Sequence, residues 1–380
     1  MILNFRTIPF YIEFTIKLIM IICLCVIITY GQSLVIPIAF SILLSILLLP
    51  LNNFLENKVR LPKSIAIMIS IVLVLCIVGG IIYFLSYQIS GFITEIPVIK
   101  QRLLEHYATL QTWINDKFNI TSQQQTVLIN KASDDVTNTG KLAIGETFFT
   151  ITQLLFEFII ISIFSFLLLS YRHTIKIFLV AVFKKEHNSA VNTVLEESKV
   201  IVQSYMLGLI IEMGIIAIAN TTILLIIGVK YAIFLGVFSA IFNIIPYVGI
   251  LIGIAFSCII TLTTSTHLSD ILWIIIGFEI IHFIDSNFLM PLIVGSKVKI
   301  NALITIVGVV VGGMLLGLSG IFLALPFIAI LKIIFDKVDG LKPWGLLMGD
   351  SAALKPKSKL QKHIEKRLVG KIKTTDNTTY

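Results

Sequence analysis

The chain has 380 residues, 57% hydrophobic and 13% charged, with a formal net charge of +8 and a mean hydropathy of +0.99. A water-soluble chain of this length carries far more polar surface, so the excess apolar side chains must face lipid. The apolar runs are continuous rather than alternating, which argues against a β-barrel; each span needs about 20 helical residues to cross a hydrocarbon layer roughly 30 Å thick. The expected fold is all-α: a polytopic membrane protein with about six to eight helical membrane segments.

Arg6 and Lys17 stand around the start of a long apolar run with no small-residue cleavage site, which reads as an uncleaved first span. That span covers about Ile12 to Tyr30, and Gly31-Gln32-Ser33 separates it from a second at Leu34 to Leu51. The link that follows carries Lys58, Arg60 and Lys63 against Glu56, which places it and the N-terminus in the cytoplasm. A third span, Ser64 to Tyr87, completes an N-terminal unit of residues 1–87.

Residues 88–147 change character. Phe92, Ile96, Ile99, Leu103, Tyr107, Leu110, Ile114 and Phe118 recur in steps of three or four, an amphipathic helix period. Thr121 and Ser122 precede Gln124 and Gln125 by three residues, the spacing of a capping box that starts a second helix. With five basic and six acidic residues, this insert is expected to be an extracytoplasmic helical hairpin. A fourth span, 148–171, leads to a connector over 172–203 with Arg172, Lys176, Lys184, Lys185 and Lys199, expected on the cytoplasmic side.

The half from 204 to 336 has two over-long apolar runs. Tyr231 to Ser265 is interrupted by Asn243-Ile-Ile-Pro246-Tyr-Val-Gly249, and Ala302 to Phe335 by Gly312-Gly313, Gly317, Gly320 and Pro326. Pro removes a backbone donor and Gly admits conformations other residues resist, so both mark helix breaks. Broken helices within lipid are tolerated where protein or a polar cavity satisfies the freed groups, as at transporter binding sites. Re-entrant turns in both runs would keep Lys297, Lys299 and the tail in the cytoplasm, as the positive-inside rule favours; ordinary kinked helices are the plainer alternative. The tail, 337–380, has nine Lys or Arg between Lys342 and Lys373 against Asp350 and Glu365. Anionic headgroups of the bilayer, rather than nucleic acid, are its expected neighbour.

Few ionisable groups lie within spans: Glu157, Glu212, Glu279, His282 and Asp285. Each costs roughly 2.5–3.5 kcal/mol on insertion scales and asks for a reason. Glu279, His282 and Asp285 stand at i, i+3 and i+6, where a carboxylate beside a histidine suits proton exchange or simply holds helices together. Asp285 and Asn287, just before Pro291, are expected to line one polar site with the Pro246 and Pro326 breaks. Glu212 is a second proton carrier or a helix–helix contact, and Glu157 ranks last. Gly312-Gly313-x-x-x-Gly317 has the spacing that lets helices touch, and no Gly-Lys-Ser/Thr follows it. Cys23, Cys25, Cys76 and Cys258 read as packing residues. With no zinc-ligand cluster, nucleophile elbow or nucleotide loop, neither an enzyme nor a cofactor or metal is expected.

The run Gly228-Val-Lys-Tyr-Ala-Ile-Phe-Leu-Gly236, the Asn243…Gly249 break, Asp285-Ser-Asn287-Phe-Leu-Met-Pro291-Leu-Ile-Val-Gly295 and the Gly312…Pro326 series together resemble the autoinducer-2 exporter family. The match is best over Ser204 to Phe335; the N-terminal half agrees in layout. Where that family often has His-Pro, this chain has Asn301-Ala302. The resemblance implies a homo-oligomeric transporter of the bacterial inner membrane with both termini cytoplasmic, and coupling to protons or sodium is the expectation that goes with the buried ionisable groups. Members have been linked to autoinducer-2 export and to sodium- or lithium-proton exchange. Export of a small polar solute is thus the leading expectation and monovalent cation–proton antiport its alternative; a non-transporting scaffold or passive channel fits the broken helices less well.

Overall fold

The computed structural model describes residues 9–118, 156–243, 248–265, 267, 269–290, 292–293 and 300–349. Among them every extended element is helical, and one isolated bridge joins Ile300 to Gly349. The second helix expected in the insert, Pro246, Pro291, Gly295, Lys297, Lys299 and the basic tail beyond Gly349 lie outside the described residues.

Helices α1 (Phe10–Tyr30) and α2 (Gln32–Asn57) are joined by Gly31 alone. Helix α3 (Lys63–Phe118) runs for 56 residues, about 84 Å, with no break where its composition turns amphipathic near residue 88. Backbone hydrogen bonding is indifferent to which faces are apolar, so a change of surroundings need not interrupt a helix. Helix α4 (Phe156–Ser170) bends by 68° into α5 (Arg172–Ala181), and α6 (Asn188–Ile227) absorbs the rest of the connector into one 40-residue helix. Then follow α7 (Ala232–Phe242), α8 (Val248–Thr264), α9 (Ser269–Ile284), α10 (Ala302–Lys337) and α11 (Lys342–Met348). Among the described residues six helices are long and apolar enough to cross a membrane, and seven with the bent α4–α5 pair. The chain is a multi-pass membrane protein.

Helix α6 is the central column, packed against α2, α7, α9 and α10. Helices α7 and α8 form a hairpin. At 11 residues, about 16 Å, α7 is too short to cross a bilayer. Its tip is tight: a Cβ at Gly249 would lie 2.6 Å from the Asn243 Cα.

Helix α10 is a second hairpin. Gly317 adopts φ 60°, ψ −142°, a conformation essentially reserved for glycine, and the chain reverses there. Residues that would be about 12 Å apart in a continuous helix instead touch. A Cβ at Gly320 would lie 2.6 Å from the Gly312 carbonyl carbon, and one at Gly308 3.1 Å from Ile328 Cγ1. The break is therefore at Gly317 and not at Pro326, which is buried within the returning arm.

The two hairpins approach α6 from opposite ends. The first begins where α6 stops, at Gly228. The second is anchored at the start of α6, where Lys337 Nζ donates to Glu197 Oε1 at 2.7 Å. Leu316, beside its tip, packs on the same cluster as Met206, under two turns before Glu212. Near the same end Arg172 pairs with Glu56 at 2.7 Å, Lys176 pairs with Glu196 at 2.8 Å, and Lys63 Nζ donates to the Ser170 carbonyl. The ends of α2, α4 and α10 and the starts of α3 and α6 thus share one level.

Candidate functional site

Two inward stripes create the site. On α6 the buried positions Tyr205, Gly208, Glu212, Ile216, Asn220 and Leu224 follow steps of three and four. On α9 the stripe is Ile274, Phe278, Ile281 and Asp285. Among their apolar residues the stripes carry buried polar groups: Asn220, and two carboxylic acids, Glu212 at 6% and Asp285 at 5% exposure. Their carboxyl groups interact electrostatically across the α6–α9 contact.

The first hairpin closes over this pair. Asn243 Nδ2, at the end of α7, donates to Asp285 Oδ2 at 3.2 Å. One turn back, Ser239 accepts from Asn220 Nδ2 at 2.7 Å and donates to the Gly236 carbonyl at 3.1 Å. Asp285 opens a π-helical turn, Asp285–Leu289, with the Met290 N–H reaching back to its carbonyl. Such widened turns recur at functional sites.

Three oxygens in this region are buried without a hydrogen-bond partner: Asp285 Oδ1, Glu212 Oε2 and Asn220 Oδ1. Beside two of them, on Asp285 and Asn220, is a void of about 10 Å³, lined also by Ser239, Asn243 and His282 with Ile216, Ile250, Phe278 and Ile281; Glu212 does not line it. That is room for one water-sized species. A buried carboxyl oxygen of Asp285 and the Asn220 amide oxygen facing this space suit a proton or a small hard cation. Nowhere among the described residues do three His, Cys, Asp or Glu side chains group as a metal site.

The sequence-selected residues divide. Glu212, Asp285, Asn243 and His282 are brought together; His282 is half-buried, with Ser286 Oγ 3.5 Å from its ring nitrogens. Glu279 is exposed, off the buried stripe. Asn287 is also exposed and donates to the Phe283 carbonyl at 2.9 Å, so it satisfies its own helix rather than joining Asp285. Pro326 does not line the void, and Glu157 lies half-buried on α4 away from it. Asn220, Ser239 and Tyr205 were not selected. Asn220 had a signal, since it stands two turns beyond Glu212 on the same stripe; Ser239 had none that separates it from other helix serines.

Asn301 takes a different role. Its side chain accepts from the Ile304 N–H at 2.9 Å, capping α10, and its amide donates to the carbonyls of Leu347 and Gly349. The N-terminus of α10 is thereby clasped to α11.

Over residues 17–340 the chain matches the family model described as AI-2E family transporter. It is 25% identical over 308 residues to "Putative transport protein YrrI" of Bacillus subtilis (strain 168), covering 80% of this chain and 86% of that one. It is 24% identical over 321 residues to "Putative transport protein YueF" of the same organism, covering 81% and 85%. A "Putative transport protein" of Borreliella burgdorferi is 23% identical over 331 residues, covering 84% and 85%. Broken helices, a buried polar site and these relatives agree: the chain is a membrane transporter and belongs to the AI-2E family.

Proposed function

We propose that this transporter is secondary and ion-coupled, and that the Glu212–Asp285 pair holds its exchangeable proton or monovalent cation. The observation that carries this is two buried, mutually facing carboxyl groups with orphaned oxygens at the tip of a helical hairpin. Two like charges in contact in a low-dielectric interior repel strongly, and a single proton, Na⁺ or Li⁺ between them removes the repulsion. Proton and cation then compete for one place, which is the requirement for antiport.

The size of the void favours cation–proton exchange over carriage of a furanose at this spot. A space of about 10 Å³ admits an ion or a water and no sugar ring. Hairpins entering from opposite ends of α6 suit alternating access, in which withdrawing one tip opens the site to one side only. The charge distribution favours a bacterial inner-membrane topology with both termini cytoplasmic. The face carrying the Glu56, Glu196 and Glu197 ion pairs is then the inner one.

The test is ion-gradient-driven proton movement in sealed proteoliposomes with a pH reporter inside. Proton flux driven by sodium, lithium or potassium and lost in Asp285→Asn is the expected result. Silence from folded wild-type protein would overturn cation–proton exchange and return the weight to export of an organic solute, with labelled autoinducer-2 as the next ligand.

A further inference from the structure

The inward face of α8 carries Gly249, Gly253, Ser257 and Thr261, four positions at intervals of four. Its upper end packs on the site: Gly249 meets Asn243, and a Cβ at Gly253 would lie 2.7 Å from the Ser239 Cβ and 3.3 Å from Phe278 Cδ1. Its lower end reaches a separate open pocket of about 320 Å³ at the base of the first hairpin, lined by Gly228, Thr261, Thr264, Ser265 and Asp270 with Ile227 and Val229. There Ser265 Oγ donates to Asp270 Oδ2 and accepts from the His267 N–H at 3.0 Å.

Between the ends two hydroxyls behave unlike their neighbours. A helical Ser or Thr normally bonds the carbonyl four residues back. Thr264 does so with Ile260 at 2.8 Å, and Thr222 with Ile218 at 2.7 Å. Ser257 Oγ and Thr261 Oγ1 do not; at 0% and 3% exposure they are buried with no partner. The Asn220 carbonyl oxygen, beside the void at the other end, is orphaned too.

We infer that this stripe is a proton-conducting file: transient waters bridge Thr261 and Ser257 to the Asn220–Ser239 void and so join the carboxyl pair to the Asp270 pocket. The spacing fits. Successive positions at i and i+4 rise by about 6 Å, and one water between two hydroxyls spans about 5.6 Å. The whole path from Gly249 to Thr261 is about 18 Å, with a cavity at each end and side chains filling the space between them, where Phe278 packs beside Gly253. Phe278 lines the void as well, which makes it the plug that must move for the file to fill. The inference rests on the carboxyl pair as the proton site, and it adds the route and its residues.

The test is silver-ion access in proteoliposomes, using the full chain with its four native cysteines replaced by alanine. Single cysteines are placed by Thr261→Cys, Ser257→Cys and, as an exposed control on the same helix, Ile259→Cys, which is 39% exposed in the native chain. Each variant is checked for a single elution peak, exposed to Ag⁺ for set times, then denatured and scored by mass spectrometry for remaining free thiol. Ag⁺ is close in size to a small hydrated path and is excluded from hydrocarbon. Thr261→Cys and Ser257→Cys should be blocked more than about tenfold faster than Ile259→Cys. Blocking of Thr261→Cys with Ser257→Cys as slow as the control would show a blind pocket and overturn the file, as would two unreactive hydroxyl positions. As a second measurement, Ser257→Ala should lower proton flux several-fold while leaving the half-saturating cation concentration unchanged; unchanged flux would also overturn it. Silver access at Ser257→Cys in a protein without any cation–proton exchange would leave the water file standing and remove the antiport reading.

Discussion

Asn243 at the tip of the first hairpin is hydrogen-bonded to Asp285 across 42 residues of sequence, Nδ2 to Oδ2 at 3.2 Å. The position of the hairpin and the state of the carboxyl pair are therefore one variable. A hydrogen bond to a charged group is worth about 1.5–3 kcal/mol, or roughly a factor of 10–100 in an equilibrium constant. Asn243→Leu should weaken apparent cation affinity by about that factor in proteoliposome flux assays, because Asp285 loses its donor. Asn243→Gln, which keeps an amide, should retain more activity. Equal loss in both would mean that the position matters for packing and not for its donor.

The carboxyl pair should also show a trade between activity and stability. Burying two facing acceptors with orphaned oxygens strains the fold, and a neutral amide at one position relieves the repulsion. Asp285→Asn and Glu212→Gln should each lose coupled proton flux while their thermal midpoints in detergent stay level or rise by a few degrees. A variant that loses flux together with a large fall in midpoint would have been inactivated by misfolding, and the assignment of a transport role to that residue would fall with it. Glu279→Gln, at an exposed position, should leave both quantities near wild type.

Much of this site was legible before any coordinates, and the misses have physical reasons. The Asn243…Gly249 break read as a turn because Pro and Gly at that density stop a helix, and it is the tip of the α7–α8 hairpin. Asp285 and Glu279 belong to one i, i+3, i+6 series, with Asp285 the favoured member, and six helical residues rotate through about 240° beyond a full turn. Only Asp285 falls on the stripe with Ile274, Phe278 and Ile281. Asn287 was drawn in by nearness in sequence and is turned away by the same rotation. In α10 the stronger breaker by residue type is Pro326, yet Gly317 makes the turn. Proline is tolerated in an arm buried on its neighbours, whereas φ 60°, ψ −142° leaves glycine as the one residue that fits. The pairing of hairpins at opposite ends of α6 had no local signal, since it depends on contacts such as Lys337 with Glu197, 140 residues apart.

Gly317 makes that last point testable. A side chain at this backbone conformation costs about 1–3 kcal/mol although the space around it is open. Gly317→Ala should therefore lower thermal stability by an amount in that range without a steric clash. Gly312→Val should do more damage, because its Cβ would press on the Gly320 carbonyl, where no flexible side chain can yield. If Gly317→Ala proved neutral, the reversal at this residue would not be the conformation the protein adopts.

Asn301 offers a readout away from the transport site. It caps α10 and holds the carbonyls of Leu347 and Gly349, while the backbone N–H of Asn301 donates to the Met348 carbonyl at 3.0 Å. Helix α11 has seven residues, too few to persist unaided, and packs through Met348 on Ala324 and Ile328. Losing an Asn cap costs about 0.5–2 kcal/mol, and here the two clasping bonds go with it. Asn301→Ala should leave coupled flux largely intact but speed tryptic cleavage after Lys337, measured as the rate at which the segment beginning at Val338 is released. Asn301→Asp keeps the capping oxygen and removes the amide donor, so it should hold α10 while freeing α11, giving fast cleavage with near-native thermal stability. Cleavage at the wild-type rate in Asn301→Ala would show that apolar packing alone secures α11, and the clasp would have no mechanical role.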